Sequence, residues 1–190
     1  MFLVAWVAAA LVAANAGILD HALAGPPWVA PVSIWGTTLT VALIVWRWGP
    51  LRRWSSAVDL SGPILFHVVR IAYGASFLWL LSRGQISEVF AMRAGPGDIA
   101  AGALAIPAAI AAGRSSRWSR PAVLVWNLFA LADILLVLVT AQSLLFSGQG
   151  ASLAFFARLP WSLLAFLVVP AILLTHALVF WRLWASRPGR

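Results

Sequence analysis

Six side chains in this sequence can do chemistry: His67, Arg70, Asp98, Asn127, Asp133 and His176. All but Asp98 lie inside long apolar runs, and Asp98 stands at the head of one. A charged group in hydrocarbon costs about 2.5–3.5 kcal/mol on insertion scales, so it persists where it faces a protein interior and a partner. Arg70 and Asp133 have opposite signs and suit a buried ion pair that locks helices together. With Asn127 and Asp98 they equally suit the wall of a water-filled path, Arg70 holding an anionic group and Asp133 exchanging a proton. His67 and His176 suit a relay or gate on that path. They also suit axial ligation of a b-type haem iron, or of another metal, from opposite helices. Residue type and spacing leave these readings open.

Such residues need helices to carry them. The chain has 190 residues, 63% hydrophobic and only 9% charged, whereas a soluble domain has roughly a quarter charged. That composition excludes a soluble enzyme, a disordered chain and a secreted disulfide scaffold. About 20 apolar residues cross a bilayer, and six apolar runs can be read: residues 2–19, 29–46, 63–81, 98–113, 121–141 and 160–184. Continuous runs of this length are unlike the alternating strands of a membrane barrel. The expected fold is an all-α integral membrane domain over residues 1–190, a six-transmembrane-helix bundle. Ala14-Asn15-Ala16 is shaped like a signal cleavage site, but a signal starts with a basic segment, and no Arg precedes Arg47.

The 13 basic residues are all Arg. Their clusters between apolar runs read as topology signals and anionic-lipid contacts, not as a nucleic-acid surface. With the N-terminus inside, Arg47, Arg52, Arg53, Arg114, Arg117, Arg120, Arg182, Arg187 and Arg190 are cytoplasmic. Only Arg83, Arg93 and Arg158 lie opposite, so both termini are expected to be cytoplasmic. Abundant Ala, Arg, Gly and Pro without Lys fit a GC-rich bacterial genome, hence a bacterial cytoplasmic (inner) membrane. The expected partners are the lipid bilayer and a homo-oligomer or a larger membrane complex. Trp28, Trp46, Trp48, Trp54, Trp118, Trp161, Trp181 and Trp184 fall at span ends and read as an interfacial belt, while Trp79 and Trp126 lie deeper. The stretches 84–97 and 143–159 read either as segments lying on the outer face, where they could cap a cavity, or as filling between helices.

Depth and rotation group the polar residues. At 1.5 Å per residue, His67, Arg70, Asn127 and His176 come about 6–10 Å from the cytoplasmic side, and Asp133 about 18 Å. His67 and Arg70, three apart, share a helix face with Gly74 and Phe77. Asn127 and Asp133, six apart, are separated by about 240° and point different ways. Helical side chains lean toward their N-terminus, so Arg70 is expected to lean away from Asp133. Ala94-Gly95-Pro96-Gly97 reads as a turn, with Asp98 the N-cap of the fourth span. Pro170 frees the carbonyl of Phe166.

The stretch His67-Val-Val-Arg70-Ile-Ala-Tyr-Gly74-Ala-Ser-Phe77-Leu, the Ala94–Gly102 segment, Trp126-Asn127 through Asp133, and His176 resemble a group of uncharacterised bacterial polytopic membrane proteins. More distantly, Arg-x-x-x-Gly-x-x-Phe is similar to the first helix of DoxX-like proteins, four-helix membrane proteins of redox-associated function. The resemblance implies no assigned reaction and directs attention to Arg70, Asp98, Asn127, Asp133 and His176. No soluble-type catalytic signature is present. The functional expectation is a carrier or conduit for a small solute or proton. Its rivals are a haem protein ligated by His67 and His176 and a non-enzymatic structural subunit.

Overall fold

The computed structural model describes residues 2–114 and 116–185. Among them the long elements are helices: α1 (Phe2–Asn15), α2 (Ile18–Ala24), α3 (Val29–Arg47), α4 (Gly49–Ala57), α5 (Ser61–Ser82), α6 (Glu88–Ala112), α7 (Ser119–Phe146) and α8 (Leu164–Ala185). Five of them, α3 and α5 to α8, are long and apolar enough to cross a membrane; the bent pair α1–α2 makes a sixth if counted as one span. Large apolar side chains such as Leu39, Leu43, Val125, Leu128 and Val139 are exposed on the outside of the bundle. Outward-facing side chains of this kind suit lipid better than water.

Two expected spans are corrected. The first is not straight: Gly17 takes φ +68°, and the chain turns by 55° between α1 and α2. Glycine has no Cβ to clash there. The fourth starts at Glu88, so Gly95-Pro96-Gly97-Asp98 is helix and not a turn, and Asp98 is no N-cap. A proline inside a helix removes one N–H, which neighbouring helices in a bundle tolerate, and the glycines have packing reasons given below. The expected surface segments also fold differently. Residues 88–97 open α6, and Gly150–Ala157 form a tight helical stretch whose Leu153 and Phe155 are buried. There Phe77, Phe90, Phe155 and Phe156 stack with ring centroids 4.2–6.3 Å apart. Trp161, expected in the belt, is half-buried and donates to the Ser76 hydroxyl at 2.9 Å. Trp79 is exposed, with the Arg83 guanidinium 5.5 Å from its ring.

The arginine-rich ends of the helices gather at one end of the bundle. Arg182 of α8 donates to the Ser55 and Val58 carbonyls at 3.1 and 3.0 Å, which ties α4 down. Arg120 of α7 donates to the Leu183 carbonyl. Arg187 and Arg190, counted on this side, lie outside the described residues. At the other end, α8 opens with a wide, π-type turn over Leu164–Val168, just ahead of Pro170. The Phe166 carbonyl that Pro170 cannot serve accepts the Trp6 indole N–H at 3.0 Å. The N-terminal helix thus docks on the carbonyl left open by a proline 164 positions downstream.

Helices α5 and α6 approach closely. A Cβ at Gly74 would sit 2.5 Å from the Gly95 carbonyl oxygen and 3.0 Å from Asp98 Cβ, whereas one at Gly36 in α3 would meet nothing within 4 Å. Gly74→Ala should therefore lower the thermal unfolding midpoint of the detergent-solubilised protein by several degrees, and Gly36→Ala should leave it within a degree or two. Equal midpoints for the two variants would contradict the tight crossing.

Candidate functional site

Three glycines bring two carboxylates to one arginine. Gly74 lets α6 close onto α5, and Gly102 repeats this a turn and a half away, where a Cβ would sit 3.0 Å from the His67 carbonyl. Gly97 faces α7, and a Cβ there would collide with the Asp133 carboxylate. Asp98 and Asp133 thereby reach Arg70 from two helices. Arg70 Nε donates to Asp98 Oδ1 at 2.7 Å, Nη1 donates to the Ala130 carbonyl at 2.9 Å, and Nη2 donates to Asp133 Oδ2. The lean of Arg70 away from Asp133 expected from helix geometry does not hold. Its long side chain is directed by the two carboxylates, which the glycines bring within reach.

One turn closer to the arginine-rich end lies a layer of imidazoles. His67 Nε2 is 2.7 Å from the Thr175 hydroxyl, and His176 Nδ1 is 2.7 Å from Asn127 Oδ1. The two rings are 4.5 Å apart between centroids. Trp126 packs against both, at 4.9 and 5.7 Å, and is held by donation from its indole N–H to the Ala101 carbonyl at 3.0 Å. Ile64, Val123 and Val179 are all buried in the apolar cluster between this layer and the arginine-rich end.

All six residues singled out from sequence are buried, Asp133 the least so at 9% exposed. They form two groups. Arg70, Asp98 and Asp133 make one; His67, Asn127 and His176 make the other, and Asn127 and Asp133 serve different groups as their rotation requires. Thr175, the Ala130 carbonyl and Gly97 escaped sequence reasoning. Thr175 precedes His176 and looked like an ordinary apolar-run threonine; a backbone carbonyl leaves no sequence signal. His67 and His176 do meet across helices at equal depth. However, an iron held in line between two imidazoles puts about 4 Å between their nitrogens, and the ring radii add to that. Centroids 4.5 Å apart leave no room for iron and a porphyrin between the rings.

Arg70 and Asp98 also border a cavity of about 70 Å³ that extends toward the end opposite the arginine-rich one. Its walls are otherwise almost wholly apolar, with Leu19 and Leu23 of α2, Ile34 of α3 and Phe156 at the far side. A family model described as a domain of unknown function (DUF8737) matches residues 26–184, and the chain belongs to that family. No curated protein and no solved structure matches the chain.

The group of three has an unequal response to charge removal. Arg70→Gln leaves two carboxylates facing each other in a buried place and should cost about 3–5 kcal/mol of unfolding free energy. Asp98→Asn leaves a balanced pair and should cost markedly less. Denaturant titration of the purified variants in detergent reads the order directly, and equal losses would contradict the three-way pairing.

Proposed function

For a member of this family, whose description names no activity, we propose a multi-pass membrane protein that conducts or exchanges protons through its buried Asp98–Arg70–Asp133 group. One observation carries the reading: a single guanidinium pairs with two carboxylates inside an apolar bundle. Fully ionised, the group holds a net charge of −1, and one added proton brings it to zero. A low-dielectric surround makes the uncompensated state expensive, so the site has a reason to take a proton and, when its surroundings open to water, a reason to release it. Three of the arginine's donors are already committed. That favours proton exchange at the carboxylates over capture of a foreign anion by Arg70. The cavity that borders Arg70 and Asp98 would serve as the approach from one side once water enters it.

Six passes, cytoplasmic termini and a bacterial inner membrane belong to the same reading. Their support is the bent α1–α2 pair beside five long apolar helices and the arginines gathered at one end, by the positive-inside tendency. The DoxX-like character of the Arg70–Phe77 run is part of the proposal too, as is a solute moving with the proton.

Full-length protein reconstituted in liposomes that contain a pH-sensitive dye, with an imposed potential, tests the reading. The wild type should collapse a pH gradient several-fold faster than empty vesicles, and Asp133→Asn should return the rate to that of empty vesicles while eluting as the same folded species. Wild-type flux no faster than empty vesicles, or full flux in Asp133→Asn, would overturn it.

A further inference from the structure

The hydrogen-bond network around the two histidines assigns the protons on their rings. The Thr175 hydroxyl donates its only hydrogen to the Ile172 carbonyl at 2.8 Å, so it accepts from His67 Nε2. The Asn127 amide is oriented by donation from its Nδ2 to the His176 carbonyl, so its Oδ1 accepts from His176 Nδ1. A neutral imidazole carries one N–H, and each ring has committed its own. His67 Nδ1 and His176 Nε2 are therefore bare lone pairs, and both are buried without a hydrogen-bond partner. Two orphaned acceptors on touching rings are an unusual arrangement in a protein interior. One proton placed between them would satisfy both.

We infer that His67 and His176 form a second proton station, taking up one proton as a pair between Nδ1 of His67 and Nε2 of His176. This deepens the proton-exchange reading and rests on it for the proton's source. The step balances: an O–H bond breaks at the protonated Asp98–Asp133 pair, an N–H bond forms on an imidazole, and no other bond changes. The three-residue group returns to −1 as the histidine pair becomes +1, so the two stations together stay at zero charge in both states. Burial and the like charge of Arg70 oppose an isolated cation at this depth, and the net negative charge restored to the three-residue group offsets that opposition. The charged group acting on the pair from outside it is Arg70 of α5; Asp98 of α6 and Asp133 of α7 stand behind it as its partners, and α8 adds only His176 itself among the described residues.

The surroundings favour a proton over a metal ion. A shared N–H···N contact places the nitrogens about 3 Å apart, and rings whose centroids are 4.5 Å apart can bring two ring nitrogens to that separation by rotating toward each other. A metal ion would need further ligands, and no group of three or more His, Cys, Asp or Glu side chains that could hold one occurs among the described residues. Trp126 lies against both rings, its plane at 85° to His67 and at 37° to His176, close enough for its π system to act on the cation formed.

Solid-state ¹⁵N spectra of the full-length protein, histidine-labelled and held in lipid nanodiscs, test this between pH 8 and pH 4. At the high end His67 should be the Nε2–H tautomer and His176 the Nδ1–H tautomer. On acidification the two bare-nitrogen signals should move together, with one proton bound per pair. Trp126→Phe should lower that midpoint by about a few tenths of a pH unit and Trp126→Leu by more. In His176→Gln the His67 signal should no longer follow the wild-type curve. Independent titration of the two rings, opposite tautomers, or unchanged signals over the whole range would overturn the proposal. A zinc or silver titration that shifts both signals at one equivalent would overturn it in favour of a metal site. These spectra need no flux, so the station can fail while Asp133-dependent proton flux persists, and flux can fail while the station holds.

Discussion

The bundle is organised around one guanidinium that cannot be left alone. Arg70 is 1% exposed, and an arginine keeps its charge at any accessible pH. Everything near it follows from giving that charge company. Asp98 comes from α6, Asp133 and the Ala130 carbonyl from α7, and neither helix could approach so closely without Gly74 and Gly97. The small residues are therefore tied to the ion group and not only to helix packing in general. A methyl added at Gly97 would strike the carboxylate itself, so this glycine belongs to the site although it carries no chemistry.

The two polar layers are differently enclosed. The arginine layer borders an apolar cavity whose far wall is built by α2 and α3. The histidine layer is capped toward the arginine-rich end by the aliphatic cluster that includes Ile64, Val123 and Val179. The matched family region begins at residue 26, so α1 and α2 lie outside it, yet α2 contributes Leu19 and Leu23 to the cavity. α1 is held by the Trp6 bond to the carbonyl that Pro170 left open. The N-terminal pair thus acts as an added wall over a site that the remaining helices assemble without it. Access to Arg70 from that side depends on how firmly the apolar packing of Ala10, Leu19 and Ala22 on Ala30, Ala165 and Phe166 holds it.

Much of this was legible in the sequence because the relevant rules are local. The helices at 29–47, 61–82, 119–146 and 164–185 end within five residues of the apolar runs that hydropathy and length mark at 29–46, 63–81, 121–141 and 160–184. The three-residue spacing of His67 and Arg70 and the six-residue spacing of Asn127 and Asp133 sorted the polar residues by face. What failed was tertiary. Gly-Pro-Gly is turn chemistry in water, but here both glycines face a neighbouring helix and the helix runs through Pro96, so Asp98 moves from cap to counter-ion. The direction of Arg70 was inferred from its own helix, whereas it is set by carboxylates on two others. Thr175 and the Ala130 carbonyl had no distinguishing signal, since their roles exist only once α8 and α7 are in place.

The second carboxylate separates an exchanger from a lock. An Arg–Asp pair is neutral when ionised, and a proton added to it creates an unbalanced charge; such a pair resists titration and serves packing. Adding Asp98 reverses the sign of that preference, because the ionised group is now unbalanced and the protonated one is neutral. If packing alone were required, an asparagine at either position could accept the same bond from Arg70 through its amide oxygen without a surplus charge to bury. The proposed reading gives a reason for a surplus that costs free energy in an apolar interior, placed beside two imidazoles that each have one nitrogen without a hydrogen-bond partner: one proton would move between the layers. On that reading neither layer suffices by itself, since the carboxylates would supply the proton and the charge balance, and the histidines its destination.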